Sequence, residues 1–132
     1  MIIWIGLAGS LGAILRYSLG RGSLGAILRY SLGRWISGKL GTAIPWGTWV
    51  INISGSLLLG LLYGWHQSEV ISDGLWVVWG TGFCGAYTTF STFGYETIHL
   101  LAMKRYPSAI LYVTSSVLLG VAVSFAGVWF TA

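Results

Sequence analysis

Apolar residues fall along this chain in long blocks, not in alternation or narrow stripes. Each block is about the length needed to cross a bilayer core, roughly 20 mostly apolar residues for a helix. The pattern predicts four spans, at about residues 2–20, 46–66, 75–103 and 108–130. The second, WGTWVINISGSLLLGLLYGWH, contains no charge. The third is too long for one straight crossing and holds GTGFCGAYTTFSTFGYE. The predicted fold is one all-α domain over residues 1–132, an integral membrane protein with four transmembrane helices and the third broken mid-membrane.

Composition strengthens that reading. Hydrophobic residues make up 55% of the chain and charged residues 8%, against roughly 25% charged in soluble domains. Mean hydropathy is +0.78. Of the eight Trp, Trp4, Trp46, Trp65, Trp76 and Trp129 fall near the ends of apolar runs, where an interfacial aromatic belt would put them. The N-terminus has no basic residue before its apolar run, so it reads as a first span and not as a cleaved leader. Arg16, Arg21, Arg29, Arg34, Lys39, Lys104 and Arg105 all sit in two connectors. That distribution is a topology signal placing those connectors in the cytoplasm; it does not suggest nucleic acid. Cys84 is the only cysteine, which excludes an intrachain disulfide.

Within the third span, Gly80, Gly82 and Gly85 lower helix propensity just before Tyr87-Thr88-Thr89. Two readings stay open: close helix packing through small residues, or a functional break whose backbone groups meet protein, water or an ion. The hydroxyl-rich TTFST that follows favours the break. The second and fourth spans carry Asn52 and a set of hydroxyls, among them Thr48, Ser54, Ser56, Tyr112 and Ser116; Glu96 lies in the third span near its end, and Arg16 stands close to the exit of the first. Asn52 has a plain alternative role as a hydrogen bond between helices. A proton-coupled pump needs an intramembrane carboxylate, and no span centre has one. Uncharged donors suit a small anion that must shed its water and still leave. Phe90 and Phe93 stand three apart, on one helix face, and the positive edge of an aromatic ring can approach an anion; ordinary packing is the simpler use of such a pair. No nucleophile–base pair, metal cluster or carboxylate pair suggests an enzyme.

At GAYTTFSTFGYE the chain resembles the fluoride channels of the Fluc (CrcB) family. GSLGAILRY is similar to that family's first-helix signature, PWGTWVINISGSLLLG to the second, and YVTSS more loosely to the fourth. The resemblance implies a passive, fluoride-selective channel that lowers cytoplasmic fluoride and has no organic cofactor. It implies a multi-pass protein of the inner or plasma membrane, assembled as an antiparallel, dual-topology homodimer with a structural sodium ion at its centre. By motif position, Phe90 and Phe93 would meet fluoride with their edges, Asn52 would be the pore asparagine, and Tyr112 and Ser116 the fourth-helix hydroxyls. Thr48 and Glu96 would lie near pore mouths, and a break at Gly85–Thr88 would offer carbonyls to sodium. The seven-to-none charge bias sits uneasily with insertion in both orientations. The rivals are a small multidrug-type exporter, which would need a glutamate in the first span, and a non-transporting assembly subunit.

One feature lies outside the resemblance. GSLGAILRYSLGR at Gly9–Arg21 recurs letter for letter at Gly22–Arg34. Threading the second copy as the end of the first span would bury Arg16 and Arg21, at roughly 2.5–3.5 kcal/mol each. Charge alone therefore predicts that the first copy completes the span. It leaves residues 22–34 as an interfacial connector helix with Leu24, Ile27, Leu28 and Leu32 on its apolar side.

Overall fold

The computed structural model describes residues 24–40 and 44–132. Every described element is helical: α1 Leu24–Leu40, α2 Trp46–Gln67, the short turn α3 Asp73–Leu75, a π-helix Trp76–Cys84, α4 Gly85–Tyr87, α5 Ser91–Ala102 and α6 Tyr106–Thr131. The expected first span, 2–20, and the first copy of the repeat lie outside the described residues.

Helices α2 and α6 occupy the second and fourth expected blocks, and both are long and apolar enough to cross a membrane. They pack along their length through small residues. A Cβ added at Gly60 would run into the Ser124 main chain, and one at Gly64 into Thr131. A Cβ at Gly127 would stand 2.8 Å from the Leu61 nitrogen. Glycines at i and i+4 let helix backbones approach this closely, which is how membrane helices associate without a hydrophobic force between them. Hydroxyls then bridge the seam: Ser124 Oγ donates to the Ser56 carbonyl at 3.0 Å, and Thr131 Oγ1 to the Leu61 carbonyl at 3.1 Å. Large side chains such as Phe125, Trp129 and Phe130 point outward instead.

The connections are closed by left-handed caps. Glu69 (φ 58°) and Lys104 (φ 57°) each follow a helix end. The Val70 and Arg105 amides reach back to the carbonyls of Trp65 and Leu100, the 6→1 bond of a Schellman motif.

The second copy of the repeat departs from the expected surface connector. Helix α1 lies against α2, the π-helix and α4, and its packed face is not the leucine stripe. Leu24 and Ile27 are exposed, while Gly25, Ala26 and Ile36 are buried. A Cβ at Gly25 would come within 2.7 Å of the Phe83 carbonyl and 3.1 Å of the Tyr87 nitrogen. The arginine ledger missed this close approach, which needs a glycine and is supplied here by Gly25 of the second copy.

The third block is not one helix. The glycine stretch Trp76–Cys84 widens into a π-helix, a form that is rare and frequent at functional sites. The chain then stays helical through Gly85–Tyr87 and turns extended only at Thr88 (φ −79°, ψ 157°). The break thus falls at Thr88–Phe90, later than the Gly85–Thr88 interruption that the family resemblance implied. Glycine loosened the helix; threonines ended it, because their hydroxyls replace lost backbone partners.

Candidate functional site at the helix break

Three threonines and one amide hold the break. Thr88 Oγ1 donates to the Cys84 carbonyl at 2.8 Å, closing the end of α4. Thr89 Oγ1 accepts from the Thr92 amide at 3.2 Å, in the manner of an N-cap for the helix that follows. Between them, Asn52 on α2 makes a two-bonded match to the Thr89 main chain. Its Nδ2 donates to the Thr89 carbonyl at 3.0 Å, and its Oδ1 accepts from the Thr89 amide at 2.9 Å. A side-chain amide thereby acts as the missing peptide partner at a place where an unpaired backbone group would be costly. Asn52 thus bridges α2 to the break, and its partner is the Thr89 main chain and not another side chain.

Phe90 immediately precedes α5, and the first turns of that helix carry Phe93 and Glu96. Phe90 is 86% exposed, its ring 6.2 Å from that of Phe93. Phe93 in turn lies 5.0 Å from the ring of Tyr112, which is wholly buried. The Tyr112 hydroxyl donates to Glu96 Oε2 at 2.9 Å, and Thr48 Oγ1 donates to Glu96 Oε1 at 2.9 Å. Thr48, Phe90, Phe93 and Tyr112 thus form one chain of contacts with Glu96 as its anchor. Ser116, one turn further along α6, is separate; its Oγ is buried without a partner among the described residues.

A groove of about 390 Å³ opens onto this cluster, lined by Arg29, Tyr30, Gly33, Arg34, Pro45, Gly47, Thr48, Ile51, Thr89, Thr92 and Glu96. Its lining sets Arg29 and Arg34 beside the hydroxyls of Tyr30, Thr48, Thr89 and Thr92 and the Glu96 carboxylate; two arginines against one carboxylate would raise the local concentration of anions. Arg34 is steadied by Tyr30, donating to its hydroxyl at 3.2 Å.

Sequence reasoning missed two parts of this site. Arg29 and Arg34 were read as a topology signal alone, and Thr89 was one hydroxyl among many. The detectable signal was Glu96: a carboxylate inside a span demands donors, and Thr48 and Tyr112 are those donors. Among the described residues no cluster of His, Cys, Asp and Glu could hold a metal, so an ion at the break would rest on carbonyls.

The chain is similar to known proteins over most of its length. Residues 18–128 match the family described as CrcB-like protein, Camphor Resistance (CrcB); the match takes in all of the second repeat copy and only the end of the first. The chain is 41% identical over 129 residues to a protein of Leptospira interrogans serogroup Icterohaemorrhagiae serovar copenhageni named fluoride-specific ion channel FluC, covering 97% of this chain and 91% of the relative. A protein of the same name from Acidobacterium capsulatum is 42% identical over 120 residues, covering 90% of this chain and 86% of its own. One from Thermus thermophilus is 39% identical over 123 residues, covering 93% and 87%. With the family match running over most of its length and these relatives aligned nearly end to end, the chain belongs to the CrcB-like family.

Proposed function

We propose that this protein is a passive, fluoride-selective membrane channel and not an enzyme. The carrying observation is the constellation at the break: an apolar aromatic pair, Phe90 and Phe93, leading to buried hydroxyls on Tyr112 and Thr48. Fluoride holds its water tightly, so a route for it must offer donors in place of that water. Fixed cations at the narrowest point would hold it too long. Here the arginines share the groove with the Thr48, Thr89 and Thr92 hydroxyls, and the Phe93 and Tyr112 rings adjoin the Glu96 that lines it. The names carried by relatives along nearly the whole chain favour this reading over an exporter or an assembly subunit.

In this mechanism Arg29 and Arg34 gather anions, and Thr48 and Tyr112 exchange hydrogen bonds between Glu96 and the passing ion. The edges of Phe90 and Phe93 stabilise the ion where donors are sparse, and Ser116 offers the next hydroxyl. Asn52 keeps the backbone at Thr89 in place and so sets where the two rings stand.

The exposed Phe90, with Tyr95 and Ile98 on the helix that follows it, supports an antiparallel homodimer in which a second copy covers this face and completes the route. The outward side chains of α6 would face lipid, as suits a multi-pass protein of the inner or plasma membrane. A structural sodium ion also suits the break. The Thr89 amide bonds Asn52 and not the Gly85 carbonyl four residues back, and a Cβ built on Gly85 would meet nothing within 4 Å. Unwound carbonyls beside a break are sodium ligands in membrane proteins. Gly85 and Thr88 would supply them, and the bound charge would fasten two such breaks together.

The test is fluoride efflux from proteoliposomes, followed with a fluoride electrode and with chloride as control. Rapid fluoride release without chloride release is expected; equal release of both, or of neither, overturns the proposal.

A further inference from the structure

Beyond Ser116, α6 offers no donor where one is needed. Tyr112, Ser116, Gly120 and Ser124 follow one another at four-residue intervals, a rise of about 6 Å each. Gly120 has no side chain, so consecutive hydroxyls on this face are then about 12 Å apart. Ser124 does not close the gap, because its hydroxyl hydrogen is committed to the Ser56 carbonyl at 3.0 Å.

The facing helix does close it. A groove of about 400 Å³ runs along this seam, bordered by Ser56, Ser116, Gly120 and Ser124 with Val117 and Phe125 at its sides. A Cβ built on Gly120 would stand 3.6 Å from Ser56 Oγ, so the Ser56 hydroxyl lies over the place that a side chain at 120 would fill. Among the described residues neither the Ser56 nor the Ser116 hydroxyl has a hydrogen-bond partner. Two unengaged hydroxyls, one of them buried, border the same groove. Leaving a buried hydroxyl unpaired costs free energy unless something else meets it.

We propose that Ser56, on α2, contacts the permeating fluoride and carries it across the gap between Ser116 and the far end of the groove. This rests on the channel reading above. The ion passes from a donor on α6 to one on α2, so the route crosses the α2–α6 seam and does not follow one helix.

The test is initial fluoride efflux from proteoliposomes containing the full chain, compared across Ser56→Ala, Ser56→Ala/Gly120→Ser and Ser56→Ala/Gly120→Ala. Ser56→Ala should slow fluoride release by about tenfold or more, the factor that one lost hydrogen bond to an ion carries. The bond from Ser124 goes to the Ser56 main chain, so this variant should elute and melt like the parent. Adding Gly120→Ser should restore most of the rate, since the contacts at 3.6 and 4.0 Å leave room for a Cβ. Gly120→Ala, which fills the space without a donor, should not. An undiminished rate in Ser56→Ala overturns the proposal, as does a loss that Gly120→Ser fails to repair. Absence of fluoride release from the parent chain would instead overturn the channel reading, and this proposal with it.

Discussion

Replacing Asn52 by alanine removes the only contacts described for the Thr89 main chain at the break. The amide donates to the Thr89 carbonyl at 3.0 Å and accepts from its N–H at 2.9 Å, and Thr89 is itself buried. Each backbone group left unpaired away from water costs about 1–3 kcal/mol, so Asn52→Ala should destabilise the fold by about 2–6 kcal/mol. Measured against a total stability of about 5–15 kcal/mol, that is a large fraction. In detergent the thermal midpoint, followed by tryptophan fluorescence, should fall by at least about 6 °C. Asn52→Asp separates the two bonds: it keeps an acceptor for the Thr89 N–H but sets a carboxylate against the Thr89 carbonyl. It should therefore melt no higher than the alanine variant. Fluoride efflux should fall in both, because Phe90 and Phe93 follow directly from the backbone that Asn52 holds. A variant that melts like the parent and yet loses fluoride efflux would refute this reasoning. The amide would then act on the ion and not on the backbone.

Phe90→Ala should slow fluoride efflux while lowering the melting temperature less than Phe93→Ala does, since the Phe90 ring is 86% exposed on its own protomer whereas the Phe93 ring packs on Tyr112 at 5.0 Å. Gly60→Ala drives a methyl group into the Ser124 main chain, and overpacking of this kind costs about 1–3 kcal/mol, read as a lower melting temperature and a smaller monodisperse peak. Deleting either repeat copy yields one and the same sequence, in which Met1–Ala8 lead directly into a single GSLGAILRYSLGR. That variant loses two arginines from the region before the packed helix and should conduct fluoride at least as fast as the parent, with a slower rate showing that the extra copy contributes to the pore.

The extents of α2 and α6 were legible because a bilayer demands a minimum apolar length, and 46–66 and 108–130 meet it with little charge. What hydropathy could not reveal was which side of each helix faces protein. The leucines of α1 were taken as its working face, yet Gly25 and Ala26 make the contact while Leu24 and Ile27 are exposed. The same inversion holds along α2 and α6, where Gly60, Gly64 and Gly127 meet the neighbour and the large aromatics do not. In water a large apolar side chain gains by leaving solvent for the core; in lipid it gains nothing by turning inward, so close approach and hydrogen bonds decide the packing.

That inversion also explains why the site was half visible. Phe90, Phe93, Thr48 and Tyr112 were marked as candidates from residue type and motif, but their connection runs through Glu96, whose two hydroxyl donors come from α2 and α6. No local pattern contains a bond between residues 48 positions apart. Asn52 shows the same gap between type and role: an amide in a span announces a need for partners without saying whose. Its partner is the backbone of a helix that ends at Thr88, and the need for that amide arises only because the helix ends there. Break and amide therefore have to occur together, and a chain with one and not the other would leave either the Thr89 backbone or the Asn52 side chain unpaired. In an uncharged site of this kind the glycines and hydroxyls, read as pairs across helices, carry more of the design than the apolar pattern does.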